Sequence, residues 1–133
     1  MNEKLQDPMA LVARVLLALI FVVSGFGKIT GFDGTAAYMA AKGMPMPQVF
    51  LVGAIAVEFV GGLLLVVGWK TRWAALAIFA FIIPTTIIFH NPIGVPADQV
   101  QAQMINLMKN VSMMGGMLML AVFGPGAWSL DKR

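Results

Sequence analysis

Four long apolar runs leave this chain few ways to fold. Met9–Phe26 contains one charged residue, Arg14, and Val49–Trp69 contains one, Glu58. Trp73–Phe89 contains none, and Met104–Phe123 contains one, Lys109. A bilayer core about 30 Å thick is crossed by roughly 17–25 residues of helix, and each run is long enough. With 59% of its 133 residues hydrophobic and 11% charged, the chain has too little polar material to cover four such helices in water. The expected fold is all-α: an integral membrane four-helix bundle, one domain over residues 1–133, with spans at about 9–26, 49–69, 73–89 and 104–123. A cleaved signal peptide is the rival reading of the first run. That run exceeds the usual apolar core of about 7–15 residues, and the flank "SGFGKITGF" offers no Ala-x-Ala cleavage site, so the run is expected to stay.

Backbone polar groups in lipid must bond internally, so the loops are short and the spans helical. Residues 31–47, "GFDGTAAYMAAKGMPMP", predict a short interfacial helix capped by Asp33 and ended by Gly43 and Pro45. The third loop bends at Pro92 and Pro96, after which Asp98 is placed to cap a helix running into the last span. Basic residues fall five on one side (Lys4, Lys70, Arg72, Lys132, Arg133) and two on the other (Lys28, Lys42). This bias predicts both termini in the cytoplasm. Trp69 and Trp73 flank the second loop, at the depth where amphipathic rings collect, and Lys28 reads as a further interfacial residue. "GGLLLVVG" (61–68) and "GGMLMLAVFG" (115–124) echo one another weakly, an echo that close helix packing alone also produces.

Polar residues inside the spans are the candidates for function, because an isolated charge at the centre of a membrane helix costs about 2.5–3.5 kcal/mol. Glu58 lies near the middle of its span, on a face continued by Ala54, Gly61, Gly62 and Leu65. Arg14 sits five residues into the first span, and Lys109 shares a strip with Asn106, Asn110 and Ser112. Thr86 and His90 are one turn apart, beyond the break that Pro84 imposes. Together these residues describe a polar pocket that widens towards the periplasm. Glu58 forms its floor, and Lys109, Asn110, Thr86 and His90 line its walls. A structural ion pair of Glu58 with Arg14 or Lys109, fixing helix register, is the plainer alternative, and His90 serves equally as a helix end. The eleven methionines read as packing or lipid-facing residues, and no spacing supports haem ligation.

The absence of cysteine excludes disulfides, thiolate metal sites and thiol redox chemistry, and no metal site is expected. A net charge of +3, carried by basic anchors, gives no reason to expect nucleic acid as a partner.

"ARVLLALIFVVSGFGKITGFDGTAAYMAAKGMP", "AVEFVGGLLLVVGWKTRWAA", "FHNP" and "NLMKNVSMMGG", in this order and over nearly the whole chain, resemble the DoxX family of small bacterial membrane proteins. The resemblance implies a four-helix inner-membrane protein and maps the family pattern onto Arg14, Lys28, Glu58, His90 and Lys109. It also implies a redox setting, since the name traces to a subunit of a thiosulfate:quinone oxidoreductase. A soluble redox enzyme would then be a partner, and a quinone the cofactor or ligand. It supplies no catalytic residue.

Three functions fit these residues. The first is a redox-associated subunit holding a quinone or other lipid-soluble molecule, with His90 and Lys109 donating to a carbonyl and Glu58 relaying protons. The second is an assembly subunit that performs no chemistry, with lipid, its own copies or another protein as its contacts. The third is a small-solute transporter, for which four helices leave little room unless protomers associate.

Overall fold

The computed structural model describes residues 2–132. Among them every regular element is helical: α1 (Glu3–Thr30), α2 (Phe32–Ala41), α3 (Pro47–Ile55), a π-helical turn (Ala56–Val60), α4 (Gly61–Val67), α5 (Thr71–Phe89), a 3-10 turn (Ala97–Gln99) and α6 (Val100–Phe123). Helix α3, the π turn and α4 run on as one span, so four segments are long and apolar enough to cross a membrane: Glu3–Thr30, Pro47–Val67, Thr71–Phe89 and Ala97–Phe123. The burial pattern is that of a protein written for lipid. Leu16, Leu19, Val23, Val60, Ile87, Met119 and Val122 are exposed along the helices, where a soluble bundle would place charges.

The core is built from small and branched side chains. Ala18, Leu65, Ala75, Ile78 and Met117 have no exposed surface, and Phe21 and Ile82 pack beside them, so α1, α4, α5 and α6 meet there. Two glycines allow close approach. A Cβ on Gly25 would lie 2.7 Å from Phe59 Cβ and 2.8 Å from the Phe59 amide nitrogen, and one on Gly62 would lie 2.9 Å from Val22 Cγ2. Helix α1 therefore presses directly onto the π turn and the start of α4, as membrane helices do where small residues line the contact. The second glycine pair is used differently: Gly116 faces Leu17, while Gly115 faces open space.

The first loop does form a helix, but Asp33 lies inside α2 rather than capping it, and Gly31 occupies the cap position without a side-chain bond. Gly43 follows with φ +83°, as its placement after the helix predicts. Ala36 and Met39 of α2 pack on Leu51, with Phe89 alongside, so α2 lies across the end of the bundle opposite the termini. Asp98 likewise caps nothing; it belongs to the 3-10 turn leading into α6.

Candidate functional site

The carboxylate of Glu58 is held by α1. Glu58 lies in the π turn, where one extra residue per turn widens the helix, a distortion frequent at functional sites. Its Oε2 accepts from Lys28 Nζ at 2.6 Å, Lys28 Nζ also donates to Ser24 Oγ at 2.9 Å, and Ser24 Oγ donates to Glu58 Oε1 at 3.4 Å. The Lys28 side chain keeps 25% of its surface and Glu58 keeps 9%. This corrects two expectations. Lys28 is not an interfacial anchor, and the partner of Glu58 is neither Arg14 nor Lys109. One geometric rule explains both. A helical side chain leans towards its own N-terminus, so Lys28, near the C-terminal end of α1, leans down into the bundle, while Glu58 leans up to meet it.

The same rule sends Arg14 the other way. Its guanidinium is buried, 3% exposed, and donates to the carbonyls of Pro125 (2.6 Å), Trp128 (3.0 Å) and Val66 (3.2 Å). Arg14 thus fastens the segment after α6 beneath the bundle. The tail is also hydrogen-bonded through Leu130 N to Val67 O (3.1 Å) and Asp131 N to Gly68 O (2.8 Å). Asp131 then caps α5, accepting from Thr71 N at 2.8 Å and Lys70 N at 2.9 Å. Burial works to raise the Asp131 pKa, but these two amide bonds and the nearby Lys70 charge outweigh it and hold the carboxyl below its ordinary range. The tail's role is the feature the sequence reading missed, although Gly124, Gly126 and an aspartate after the last span hinted at a folded segment.

Beside the Lys28–Glu58 pair lies a cavity of about 660 Å³, within the range of small-molecule sites. Ile20, Phe21, Ser24 and Lys28 of α1 form one wall, and Phe50, Gly53, Ala54, Val57 and Glu58 the next. Phe81, Pro84, Thr85 and Phe89 of α5 and Asn106, Lys109, Asn110 and Met113 of α6 complete it, under Thr35, Tyr38 and Met39 of α2. The lining is mostly apolar, with rings from Phe21, Tyr38, Phe50, Phe81 and Phe89. Tyr38 and Phe89 stack at 5.8 Å between centroids.

The expected wall residues divide. Glu58, Lys109, Asn110 and His90 all line the cavity, whereas Thr86 does not and Thr85 takes its place. Thr86 stands one layer behind: Asn110 Nδ2 donates to Thr86 Oγ1 at 2.8 Å, and Thr86 Oγ1 donates to the Ile82 carbonyl at 2.7 Å. Thr85 bonds back to Phe81 and Ile82 in the same way, beside Pro84, which α5 accommodates without ending. His90 ends α5, with its Nδ1 3.2 Å from Gln103 Oε1, and the same Gln103 donates to the Phe89 carbonyl. Lys109 has no hydrogen bond or carboxylate partner among the described residues, which contain one ion pair, Lys28–Glu58. Trp69 and Trp73 are exposed at the opposite end. No three His, Asp or Glu side chains gather into a metal site among the described residues.

Comparison with known proteins places this arrangement. Residues 9–91, which include Arg14, Lys28, Glu58 and His90, match the DoxX family. The chain belongs to the DoxX family. It is 43% identical to the inner membrane protein YphA of Escherichia coli (strain K12) over 92% of its length and 88% of that protein's. It is 43% identical to the inner membrane protein YqjF of the same organism, over 98% and 95%. A weaker likeness, 36% over 47% of the chain and 45% of the relative, is to CatD of Bacillus subtilis (strain 168), whose name includes the word oxidoreductase. No solved structure matches. This DoxX-family chain is thus a small multi-pass inner-membrane protein. The matched region ends just past His90, so the Lys109 wall lies outside it.

Proposed function

We propose that this protein binds a small lipid-soluble molecule with a polar ring head, a quinone being the redox member of that class, in the cavity between α1, α2, α3, α5 and α6. The observation that carries this reading is the composition of the cavity. About 660 Å³ of aromatic and aliphatic wall opens onto one charged corner, where Glu58 and Lys28 pair at 2.6 Å. An acid and an amine at the edge of an apolar chamber are placed to meet the polar head of a molecule whose body the chamber takes. The donors fit a quinone: Lys109 and Asn106 can donate to a ring carbonyl, and the rings of Phe50, Phe81 and Phe89 offer flat apolar contact. A bound quinone would supply the electron chemistry, while Lys28 and Glu58 would hold a proton near its oxygens.

The redox setting is supported by the word oxidoreductase in the name of the CatD relative. Electrons would pass to or from a cofactor carried by a separate, soluble enzyme. A transport pathway fits less well, because the half of the bundle below Glu58 is packed with Leu65, Ile78 and Met117 and closed by Arg14 and its tail. Both termini emerge at that closed end. The basic residues there support a cytoplasmic position for it, in which case the cavity would face the periplasmic leaflet.

Native mass spectrometry of protein extracted from its own membranes in a mild detergent tests the reading. A retained small molecule, or uptake of added ubiquinone at one per chain, is the expected result. Protein that retains nothing and takes up no added amphiphile contradicts it, and favours the assembly role.

A further inference from the structure

The charges around the cavity do not balance. Its walls carry two ammonium groups, Lys28 and Lys109, and a single acid, Glu58. Lys28 and Glu58 neutralise one another at 2.6 Å, with Ser24 completing their contacts. Lys109 stands on α6, and neither a carboxylate nor a hydrogen-bond acceptor reaches it among the described residues. Asn110, its neighbour, already spends its amide on Thr86. Lys109 is an exposed residue of α6 that lines the cavity, five residues inside the apolar run that begins at Met104, and its side chain leans towards the α2 end of the bundle. Its ammonium meets no counter-charge among the described residues, which leaves it open to an anionic group in the cavity.

Resting on the reading of the cavity as a ligand site, we infer that the form of the ligand held most tightly carries a single negative charge on an oxygen of its head, matched by Lys109, above an aromatic or aliphatic body; for a quinone that form is the singly ionised quinol. A carboxylate, an ionised phenol or a phosphate diester would meet this chemistry. A cation would meet the two ammoniums unfavourably, and a neutral alcohol would leave Lys109 unmatched.

Three probes with one body and different heads test this: para-octylbenzoate, para-octylbenzyl alcohol and para-octylbenzylamine, titrated onto the intact protein in a neutral detergent at a pH where the acid is ionised. The acid is expected to bind about tenfold more tightly than the alcohol, the order of one charge-assisted contact, and the amine least. Lys109→Met should erase the difference between acid and alcohol, and Lys109→Arg should restore it. Equal binding of acid and alcohol overturns the inference but leaves the cavity as a ligand site. A preference that survives Lys109→Met, or tighter binding of the amine, also overturns it. Failure of all three probes to bind overturns the ligand site as well. Repeating the titration in phosphatidylcholine nanodiscs, with and without phosphatidylglycerol, separates the sources of the charge. Competition that depends on Lys109 assigns it to a lipid phosphate, and no competition assigns it to a free acid; both support an anionic head.

Discussion

Glu58, Lys28 and Arg14 show how one side-chain direction decides a network. All three were recognisable in the sequence as ionisable residues within or beside apolar spans, but distance along the helix alone paired Glu58 with the wrong cation. Lys28 looks like a snorkelling residue because it lies two residues from the end of α1, yet its Cβ points back towards Ser24. Arg14 points away from Glu58 for the same reason and ends among carbonyls of the tail. The correct pairing was therefore legible to anyone who oriented each helix and followed the lean. That Thr86 sits behind Asn110 was not legible, because it depends on how α5 and α6 rotate against each other. The pair makes a measurable claim. Glu58→Gln and Lys28→Met should each destabilise the bundle by about 2–3 kcal/mol, below the usual figure for a fully buried pair because Lys28 is a quarter exposed. The double variant should cost little more than either single change, since each already leaves the other charge alone. Unfolding titrations in mixed micelles read the cycle, and strict additivity would show that the two side chains do not depend on one another.

At the scale of elements, glycine placement sets how closely the spans approach. The sequence showed Gly25, Gly61, Gly62, Gly115 and Gly116 as small residues in apolar helices, without showing which of them face a neighbour. Gly25, Gly61, Gly62 and Gly116 do, Gly25 and Gly62 most tightly, and Gly115 does not. Gly25→Ala should force α1 from the π turn and lower stability by about 1–3 kcal/mol, the usual range for an overpacked contact. Gly115→Ala should be neutral or slightly stabilising, because alanine is about 1 kcal/mol better than glycine within a helix. Thermal melts of the two variants in the same detergent check the contrast; equal effects would contradict the packing described. The tail was hidden from periodicity because it has no regular structure and is held by Arg14 and by the cap that Asp131 places on α5. Since the folded state lowers the Asp131 pKa, the cap contributes fully above the ordinary carboxylate range and is lost as pH falls through the lowered value. Trp128, in the tail, should report release under acid conditions, and Asp131→Asn should remove that acid-dependent step. A Trp128 emission profile identical in both proteins would contradict the cap.

For the whole molecule, length and composition were enough to give a four-span helical membrane protein, because nothing else can satisfy four apolar runs in 133 residues. Helix α1 extends from Glu3 to Thr30, beyond both edges of its apolar run, and the last span starts at Ala97, before its own. The cavity itself was legible only as a cluster of polar positions near one end. Its aromatic walls and the roof of α2 depend on where the first loop folds back, which no local pattern specifies. The expected orientation rests on the basic residues: with Lys28 drawn into the bundle, Lys42 is the basic residue of the loops at one end, against Lys4, Lys70, Arg72 and Lys132 at the other. Arg133, which adds to the same side, lies outside the described residues. Reporter fusions at the C-terminus and within residues 31–47 should place the first in the cytoplasm and the second in the periplasm; the reverse would invert the cavity. The central claim is that the cavity holds a ligand, and Gly53 offers the most direct measurement of it. This glycine lines the chamber, and a Cβ there would touch nothing within 4 Å, so Gly53→Phe should fill the space without disturbing the helices. Native mass spectra of the wild type and of Gly53→Phe, purified side by side with equal helical content, should show a bound small molecule in the first and none in the second. Equal retention in both would place the ligand outside the cavity and contradict the account.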